Sequence, residues 1–251
     1  MILLKTVDLK KYFGNTRAVD GVSFTVNKGE FLSLVGSNGA GKTTLVNLIS
    51  GLLQPDSGAI LFEDRDITHT NVAERIRAGI ARSFQIVNVF DYLSVYDNVA
   101  LSIFSRERKT ASFAALADHD QAVREEAFEV LGEFGLAGMS EIPAGGLAQG
   151  ERKLLDVAVA YALRPKLLFL DEPTSGVSTR DKGQIMDTVS SVVRAGKVTA
   201  VIIEHDMDVV FKYSDRIAMM HEGSLLAQGS PEEIRANQEV TSILLGAPMG
   251  S

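Results

Sequence analysis

A glycine-rich segment lies between a run of apolar residues and a predicted helix, and few folds accommodate it. Its residues match the pattern G-x-x-x-x-G-K-[ST] over positions 36–43. The apolar run 31–35 precedes it, and helical spacing follows over 42–50. The glycines let backbone N–H groups turn towards phosphate oxygens, and the helix N-terminus adds partial positive charge. The pattern therefore predicts that Lys42 bridges the terminal phosphates of a nucleotide and that the Thr43 hydroxyl binds Mg²⁺.

Two adjacent carboxylates follow a second apolar run, which is predicted to be the buried strand 167–170. A phosphate-binding loop needs an acidic partner for the metal and for water. We predict that Asp171 holds Mg²⁺, usually through water, and that Glu172 polarises the attacking water. A GTPase would carry N-K-x-D after the loop. The nearest string, at 27–30, precedes the loop and ends in Glu, which excludes that class.

The order of the predicted elements indicates the fold class. The sequence predicts that residues 2–35 form strands. From residue 150 onward, predicted helices alternate with predicted buried strands. Buried strands alternating with helices indicate an α/β fold whose mainly parallel sheet is covered on both faces. Between these regions the chain is helical and more charged. We therefore predict a nucleotide-binding core formed by 1–88 and 156–251, and a helical subdomain at 89–155.

Composition and charge narrow the classes of function. The chain has 251 residues and no cysteine, which excludes disulfides, cysteine metal sites and thiol nucleophiles. Its formal net charge is −7 and no basic stripe is evident, which disfavours binding to nucleic acid. Its four histidines lack metal-ligand spacing. No leader and no apolar run long enough for a membrane span is evident, so we expect any membrane role to act through a partner.

Further motifs, taken with the loop and the acidic pair, resemble those of the ATP-binding cassette (ABC) ATPases along nearly the whole chain. Gln85, in the string 82–85, resembles the Q-loop glutamine. Residues 147–151, Leu-Ala-Gln-Gly-Glu, resemble the LSGGQ signature. Residues 171–174 resemble the Walker B extension, and His205 resembles the switch histidine.

The resemblance implies the fold, the ligands and the roles of individual residues. The fold would be a P-loop NTPase (RecA-like) core with an antiparallel β subdomain and a helical subdomain. Catalysis would use Glu172, His205, Gln85 and Lys42. Mg²⁺ would meet Thr43, Gln85 and Asp171. ATP would be bound by Phe13, Gly36, Ser37, Asn38, Gly39, Ala40, Gly41, Lys42, Thr43, Thr44, Ala148 and Gly150. Phe13 would stack on adenine, with Tyr12 as the alternative. His205 would bind the γ-phosphate.

Several positions depart from the family pattern. Ala148 replaces the signature serine, Gln149 a glycine and Glu151 a glutamine, whereas Gly150 remains. Ser178 stands where many members have an aspartate. We expect a working site with weaker ATP-driven dimer closure. A cassette that binds ATP but hydrolyses it poorly is the alternative.

The resemblance also implies partners and a biological role. Each ATP site needs two cassettes, so we expect a head-to-tail dimer with itself or a sister cassette. Softer motifs at 82–85, 203–207, 231–234 and 244–246 are similar to cassettes for uptake of branched-chain (hydrophobic) amino acids. They imply permease subunits, a periplasmic or extracellular solute-binding protein, and a peripheral position on the cytoplasmic face of the cell membrane. Related solutes would be amides or urea. The alternatives are a cassette for lipid or lipopolysaccharide export and a soluble ABC ATPase of repair or translation.

Overall fold

The protein is described from a computed structural model, which describes residues 1–83, 89–107 and 120–244. The chain forms two compact units. Unit 1 contains Met1–Arg75 and the described residues from Thr199 onward. Unit 2 contains Ile76–Val198. The predicted helical region 89–155 falls within unit 2.

The chain contains eleven strands and nine α-helices within the described residues. The strands are β1 (Ile2–Phe13), β2 (Thr16–Val22), β3 (Thr25–Asn27), β4 (Phe31–Val35), β5 (Ser57–Phe62), β6 (Arg65–Asp66), β7 (Ile80–Arg82), β8 (Leu167–Asp171), β9 (Thr199–Ile203), β10 (Arg216–His221) and β11 (Ser224–Gly229). The helices are α1 (Lys42–Ser50), α2 (Val72–Ala78), α3 (Val95–Arg106), α4 (Gln121–Glu133), α5 (Gln149–Tyr161), α6 (Thr179–Ala195), α7 (Met207–Tyr213), α8 (Pro231–Ala236) and α9 (Gln238–Leu244).

Unit 1 contains an antiparallel sheet built around β1. Its strand order is β2-β1-β5-β6, and β3 also pairs with β1. Along β1 the apolar side chains Leu3, Leu4 and Leu9 are buried, whereas the charged residues between them, Lys5 and Asp8, are exposed. This partial alternation is typical of a sheet with one solvated face, and it confirms the strands predicted near the N-terminus.

Unit 1 also contains the strand that leads into the phosphate loop. All five residues of β4 are buried. β4 pairs in parallel with β10 on one side and with β9 on the other, and β11 adds an antiparallel edge to β10. Helices α7, α8 and α9 cover this sheet through a buried cluster whose members are Val35, Val210, Ile217, Met219, Ile234 and Val240. The parallel α/β core predicted from the buried strands is confirmed.

Unit 2 combines a parallel strand pair with four of the longer helices. β7 pairs in parallel with β8, and Arg82 lies opposite Phe169. Helices α3 and α4 pack together, and the rings of Tyr96 and Phe128 stack with centroids 5.5 Å apart. Helix α6 begins at an N-cap, Ser178, whose side chain accepts a hydrogen bond from the Asp181 N–H. No helix in the described ranges is long and apolar enough to cross a membrane.

Candidate functional site

The phosphate loop depends on glycines at positions that other residues would block. Gly36, Gly39 and Gly41 have φ values of 149°, 81° and 99°, a region that favours glycine. A Cβ at Gly36 would overlap the carbonyl oxygen of Met220, and one at Gly41 would overlap that of Ala18. A Cβ at Gly39 would meet no described atom within 4 Å. The loop is therefore tightly packed at both ends and open at its tip.

The lysine of the loop is held within the loop itself. Lys42 is buried, and its Nζ donates to the carbonyl oxygens of Gly36 at 2.7 Å and Ser37 at 3.0 Å. Lys42 is also the first residue of α1, whose N-cap is Gly41. The neighbouring Thr43 is exposed. A lysine ammonium group at the start of a helix suits the binding of phosphate groups, and that role of Lys42 stays a prediction.

The turn between β10 and β11 forms a hydrogen bond with the phosphate loop. The Gly223 N–H donates to the Ala40 carbonyl oxygen at 3.1 Å, and the Gly223 carbonyl oxygen accepts from the Asp20 N–H at 2.8 Å. Gly223 has φ 80°, and a Cβ there would overlap the Arg17 carbonyl oxygen. This contact was not predictable from the local sequence. A Glu-Gly pair between two predicted strands signals a turn, but not which loop that turn contacts.

A buried arginine, which the sequence did not indicate, contacts the far end of α1. Arg75 is 1% exposed. Its guanidinium donates to the last carbonyl oxygens of α1, Leu48 and Ile49, and to those of Ile67 and Thr68. Burial lowers the pKa of Arg75 to about 10. A cation that binds the final carbonyls of a helix complements its negative end.

The two aromatic candidates for adenine stacking have different surroundings. The Tyr12 hydroxyl donates to Asp20 Oδ1 at 2.6 Å, and this bond raises the pKa of Tyr12. Phe13 is 49% exposed, and Lys11 Nζ lies 5.7 Å from its ring centroid. Tyr12 is 38% exposed, so Phe13 is the more exposed of the two. This geometry favours Phe13 as the stacking residue, and the assignment stays a prediction.

His205 follows a strand that pairs directly with the strand before the loop. β9 and β4 are parallel, and Ile203 lies opposite Leu34. His205 comes two residues after Ile203, is exposed, and donates from its backbone N–H to Glu204 Oε2 at 3.2 Å. Because the carboxyl ends of parallel strands share one edge, His205 leaves the sheet at the edge from which the phosphate loop also leaves.

In unit 2 the first predicted carboxylate is paired with an arginine. Asp171 ends β8 and is buried, and its Oδ2 lies 2.6 Å from Nη2 of Arg82 at the end of β7. The ladder continues beyond β7, since the Ser83 N–H donates to the Phe169 carbonyl oxygen at 2.8 Å. The sequence contained Arg82 within a recognised motif but did not indicate this pair.

The second carboxylate has a constrained backbone. Glu172 is half-buried and has φ 47°, a conformation that costs a non-glycine residue free energy and often occurs at functional sites. Its carbonyl oxygen accepts from the Ser175 N–H at 3.0 Å and from Lys153 Nζ at 3.2 Å. Lys153 Nζ also donates to Ser175 Oγ at 3.0 Å. The buried lysine therefore links α5 to the segment that holds Glu172.

The signature-like segment forms the start of α5. Ala148 is the exposed N-cap residue, and its N–H donates to Glu151 Oε2 at 2.8 Å. Alanine supplies no oxygen to accept the N–H groups of the first turn. The Gln149 amide lies where a Cβ on Gly176 would sit, and Gly176 has φ 77°. The large residue at 149 is thus matched by a residue without a side chain at 176. Gln85 lies outside the described residues.

The donors described here fit the chemistry of a magnesium nucleotide. The loop offers backbone N–H groups and an ammonium group, which suit phosphate oxygens. Thr43 and Asp171 offer hydroxyl and carboxylate oxygens, the ligand types that Mg²⁺ prefers.

The chain belongs to the ABC transporter family, whose sequence profile matches residues 19–175. It is an ATP-binding cassette with the ATPase activity of that family. The chain is 33% identical, over 98% of each chain, to the probable branched-chain amino acid transport ATP-binding protein LivG of Methanocaldococcus jannaschii. It is 32% identical to the high-affinity branched-chain amino acid transport ATP-binding protein BraF of Pseudomonas aeruginosa, over 97% of this chain and 98% of BraF.

A solved structure agrees with the sequence relatives. The crystal structure of the ADP conformation of an ATP-binding cassette of an ABC transporter superposes with a TM-score of 0.87 at 32% identity. The match covers 98% of this chain and 99% of that one. The P-loop NTPase fold predicted from the sequence is confirmed.

Proposed function

We propose that this cassette powers an importer of branched-chain or other hydrophobic amino acids, with amides and urea as related candidate solutes. The observation that carries the proposal is end-to-end similarity to LivG and BraF, at 32–33% identity over 97–98% of the chain. The match includes the unit 2 helices and the C-terminal helices of unit 1, so it extends beyond the motifs shared by all ABC ATPases. The proposed location of the cassette is the cytoplasmic face of the cell membrane.

The residues of the loop would bind the triphosphate. The N–H groups at 36–44 and the Lys42 ammonium stabilise the negative charge that develops on the β- and γ-phosphates during transfer to water. Lys42 exchanges its two carbonyl partners for phosphate oxygens. Phe13 stacks on adenine, and His205 hydrogen-bonds to the γ-phosphate. Mg²⁺, when bound, supplies charge neutralisation on the phosphates, and Thr43, Asp171 and Gln85 are the residues that would hold it.

Glu172 would act on the attacking water. Its carboxylate accepts a hydrogen bond from that water and takes its proton as the oxygen attacks the γ-phosphorus, while the bond from that phosphorus to the β,γ-bridging oxygen breaks and ADP leaves. The backbone at Glu172 is fixed by Lys153 and Ser175, which limits the directions its side chain can take. A preset direction reduces the reorganisation needed at the moment of reaction.

A second cassette would complete each ATP site. The N-terminus of α5 is exposed at Ala148 and Gln149, so its free N–H groups are available to a ligand held by another subunit. Gly150 keeps the backbone accessible in the same turn. These features support a head-to-tail dimer, with itself or with a sister cassette.

An exposed aromatic surface on unit 2 supports docking of a permease. Tyr92 is 99% exposed and Phe90 is 59% exposed. The loop that carries them is firmly held, because buried Asn98 donates to the carbonyl oxygens of Phe90 and Ser94 and accepts from the Phe90 N–H. Exposed aromatic side chains on an ordered loop are typical of a protein interface. We propose that a cytoplasmic loop of the permease binds this aromatic surface. The solute-binding protein would act on the opposite side of the membrane.

Reconstitution tests the whole proposal. The cassette is assembled with its permeases in liposomes, the solute-binding protein is added outside, and uptake of labelled leucine, an amide and urea is measured with internal ATP. We expect ATP-dependent leucine uptake that Glu172→Gln abolishes. ATP-dependent removal of lipid or lipopolysaccharide without solute uptake would support the export alternative. ATPase activity that responds only to nucleic acid or ribosomes would support the soluble alternative.

A further inference from the structure

The ion pair between Arg82 and Asp171 places a cation on the carboxylate assigned to the metal. We propose that Arg82 competes with Mg²⁺ for Asp171, so that its guanidinium compensates this buried carboxylate until the magnesium nucleotide displaces it. The inference rests on the proposed role of Asp171 as a magnesium residue. It makes Arg82 a positioning residue that sets how much magnesium the cassette needs.

Burial explains why the carboxylate needs a compensating cation at all times. The side chain of Asp171 is 3% exposed and that of Arg82 is 9% exposed. A carboxylate removed from water without a partner is strongly destabilising, whereas a charge-assisted bond of 2.6 Å offsets much of that cost. Oδ1 of Asp171 accepts no hydrogen bond from the described residues. Arg82 is therefore the group that keeps this carboxylate compensated.

The strand geometry indicates which part can move. The backbone of Arg82 is fixed by parallel pairing of β7 with β8, and the next residue continues the ladder through the Ser83 N–H. The bond to Asp171 uses one nitrogen, Nη2, and one oxygen, Oδ2. An arginine side chain has several rotatable bonds, so the guanidinium can leave Oδ2 by changing rotamers while both strands stay in place.

Electrostatics determines the direction of the effect on magnesium. While the guanidinium stays on Oδ2, it would repel a divalent cation that approaches the same carboxylate in a site with little water. Removing the guanidinium removes that repulsion. Magnesium should then bind the nucleotide complex more tightly, although the protein without magnesium becomes less stable.

The experiment measures thermal unfolding of wild type and Arg82→Met in three conditions: EDTA alone, ADP with EDTA, and ADP with Mg²⁺. In both EDTA conditions we expect the variant to melt at least about 5 °C below wild type. With Mg²⁺ and ADP we expect that difference to fall by half or more. The Mg²⁺ concentration at half-maximal stabilisation should be roughly threefold lower in the variant, or lower still.

A difference in melting temperature that is the same in all three conditions, or a higher Mg²⁺ midpoint in the variant, would overturn the proposal. The matched control is Arg106→Met, which breaks the Arg106–Glu126 pair of the same 2.6 Å length between α3 and α4. Its loss of stability should not depend on magnesium. Arg82→Lys, which keeps the charge, should retain a midpoint near that of wild type and serves if the methionine variant does not fold.

Asp171→Asn separates this inference from the proposed function. If that variant leaves the Mg²⁺ dependence of stabilisation by ADP unchanged, Asp171 is not the magnesium residue and its proposed role fails. If Asp171→Asn removes that dependence while Arg82→Met shows a constant deficit, only the competition fails.

Discussion

The ammonium group of Lys153, on α5, lies 3.2 Å from the main-chain carbonyl oxygen of Glu172. The same group reaches Ser175 Oγ at 3.0 Å, so one buried lysine joins the signature-like helix to both ends of the turn after β8. Within unit 2, the position of α5 and the conformation of the proposed catalytic residue are therefore coupled.

Lys153→Met should lower the rate of ATP hydrolysis without weakening ATP binding. It removes a charged donor that holds Glu172 in its left-handed conformation, and a bond of that type contributes about 1.5–3 kcal/mol. If losing this bond raises the activation free energy of hydrolysis by about 1.4 kcal/mol, kcat falls about tenfold while KM is unchanged. Steady-state kinetics measures both. Lys153→Arg should recover part of kcat. A rise in the KM of Lys153→Met as large as the fall in its kcat would argue against a role through Glu172.

Ala148→Ser should stabilise the protein and tighten its ATP-driven dimer. The new hydroxyl can accept the Glu151 N–H as an N-cap, which contributes about 1 kcal/mol and about 2–4 °C in Tm. The same hydroxyl adds a donor for the γ-phosphate of ATP on the second subunit. Calorimetry measures the Tm, and size analysis with Mg-ATP in the Glu172→Gln background measures the dimer. A dimer no tighter than before would contradict the proposed role of this residue.

Gly41→Ala should abolish nucleotide binding. The added Cβ would overlap the Ala18 carbonyl oxygen at a residue with φ 99°, so the loop would have to change shape. Gly29→Ala is the control, because Gly29 also has a positive φ of 76° but its Cβ would meet no described atom within 4 Å. Binding of a fluorescent ATP analogue should survive in the control, with a stability loss of about 1–2 kcal/mol. Equal binding by both variants would contradict the packing argument.

Phe13→Ala should weaken ATP binding about tenfold, because stacking an aromatic ring on a base contributes about 1–3 kcal/mol. Tyr12→Phe removes the hydroxyl that bonds to Asp20 and keeps the ring, so its ATP affinity should stay near that of wild type. Titration with a fluorescent nucleotide distinguishes the two. A larger loss in Tyr12→Ala than in Phe13→Ala would transfer the stacking role to Tyr12.

Arg75→Met should destabilise unit 1 strongly, by about 3–5 kcal/mol, because the buried carbonyl oxygens at 48, 49, 67 and 68 would each lose a charged donor, although those at 48 and 67 keep the N–H groups of Gly51 and Thr70. Chemical denaturation measures the loss. The neighbouring Arg77 is exposed, and Arg77→Met should cost less than about 1 kcal/mol. A comparable loss in both variants would show that burial of Arg75 is not the cause.

Elements with strong periodicity were predictable from the sequence. Helix α1 occupies Lys42–Ser50, as the sequence predicts, and β8 extends the predicted strand 167–170 by one residue. The short elements α2 and β7 were missed. Three residues of β7 are too few to show a period, and its last residue is the charged Arg82. The contact of Gly223 with the phosphate loop and the contacts of Arg75 with α1 join residues far apart in sequence, so local sequence patterns do not predict them. The role of Gln85 stays a prediction.

The hydrogen bond from the Gly223 N–H to the Ala40 carbonyl oxygen makes the phosphate loop dependent on a residue outside its own motif. Eight consecutive letters identify the phosphate loop, yet part of its shape is imposed by a turn more than 180 positions further along the chain. A peptide or truncated protein that keeps those letters and ends before β10 would carry the signature and lose this constraint. The ability to bind a nucleotide therefore depends on tertiary structure, because the turn between β10 and β11 must be in place for the loop to keep this hydrogen bond.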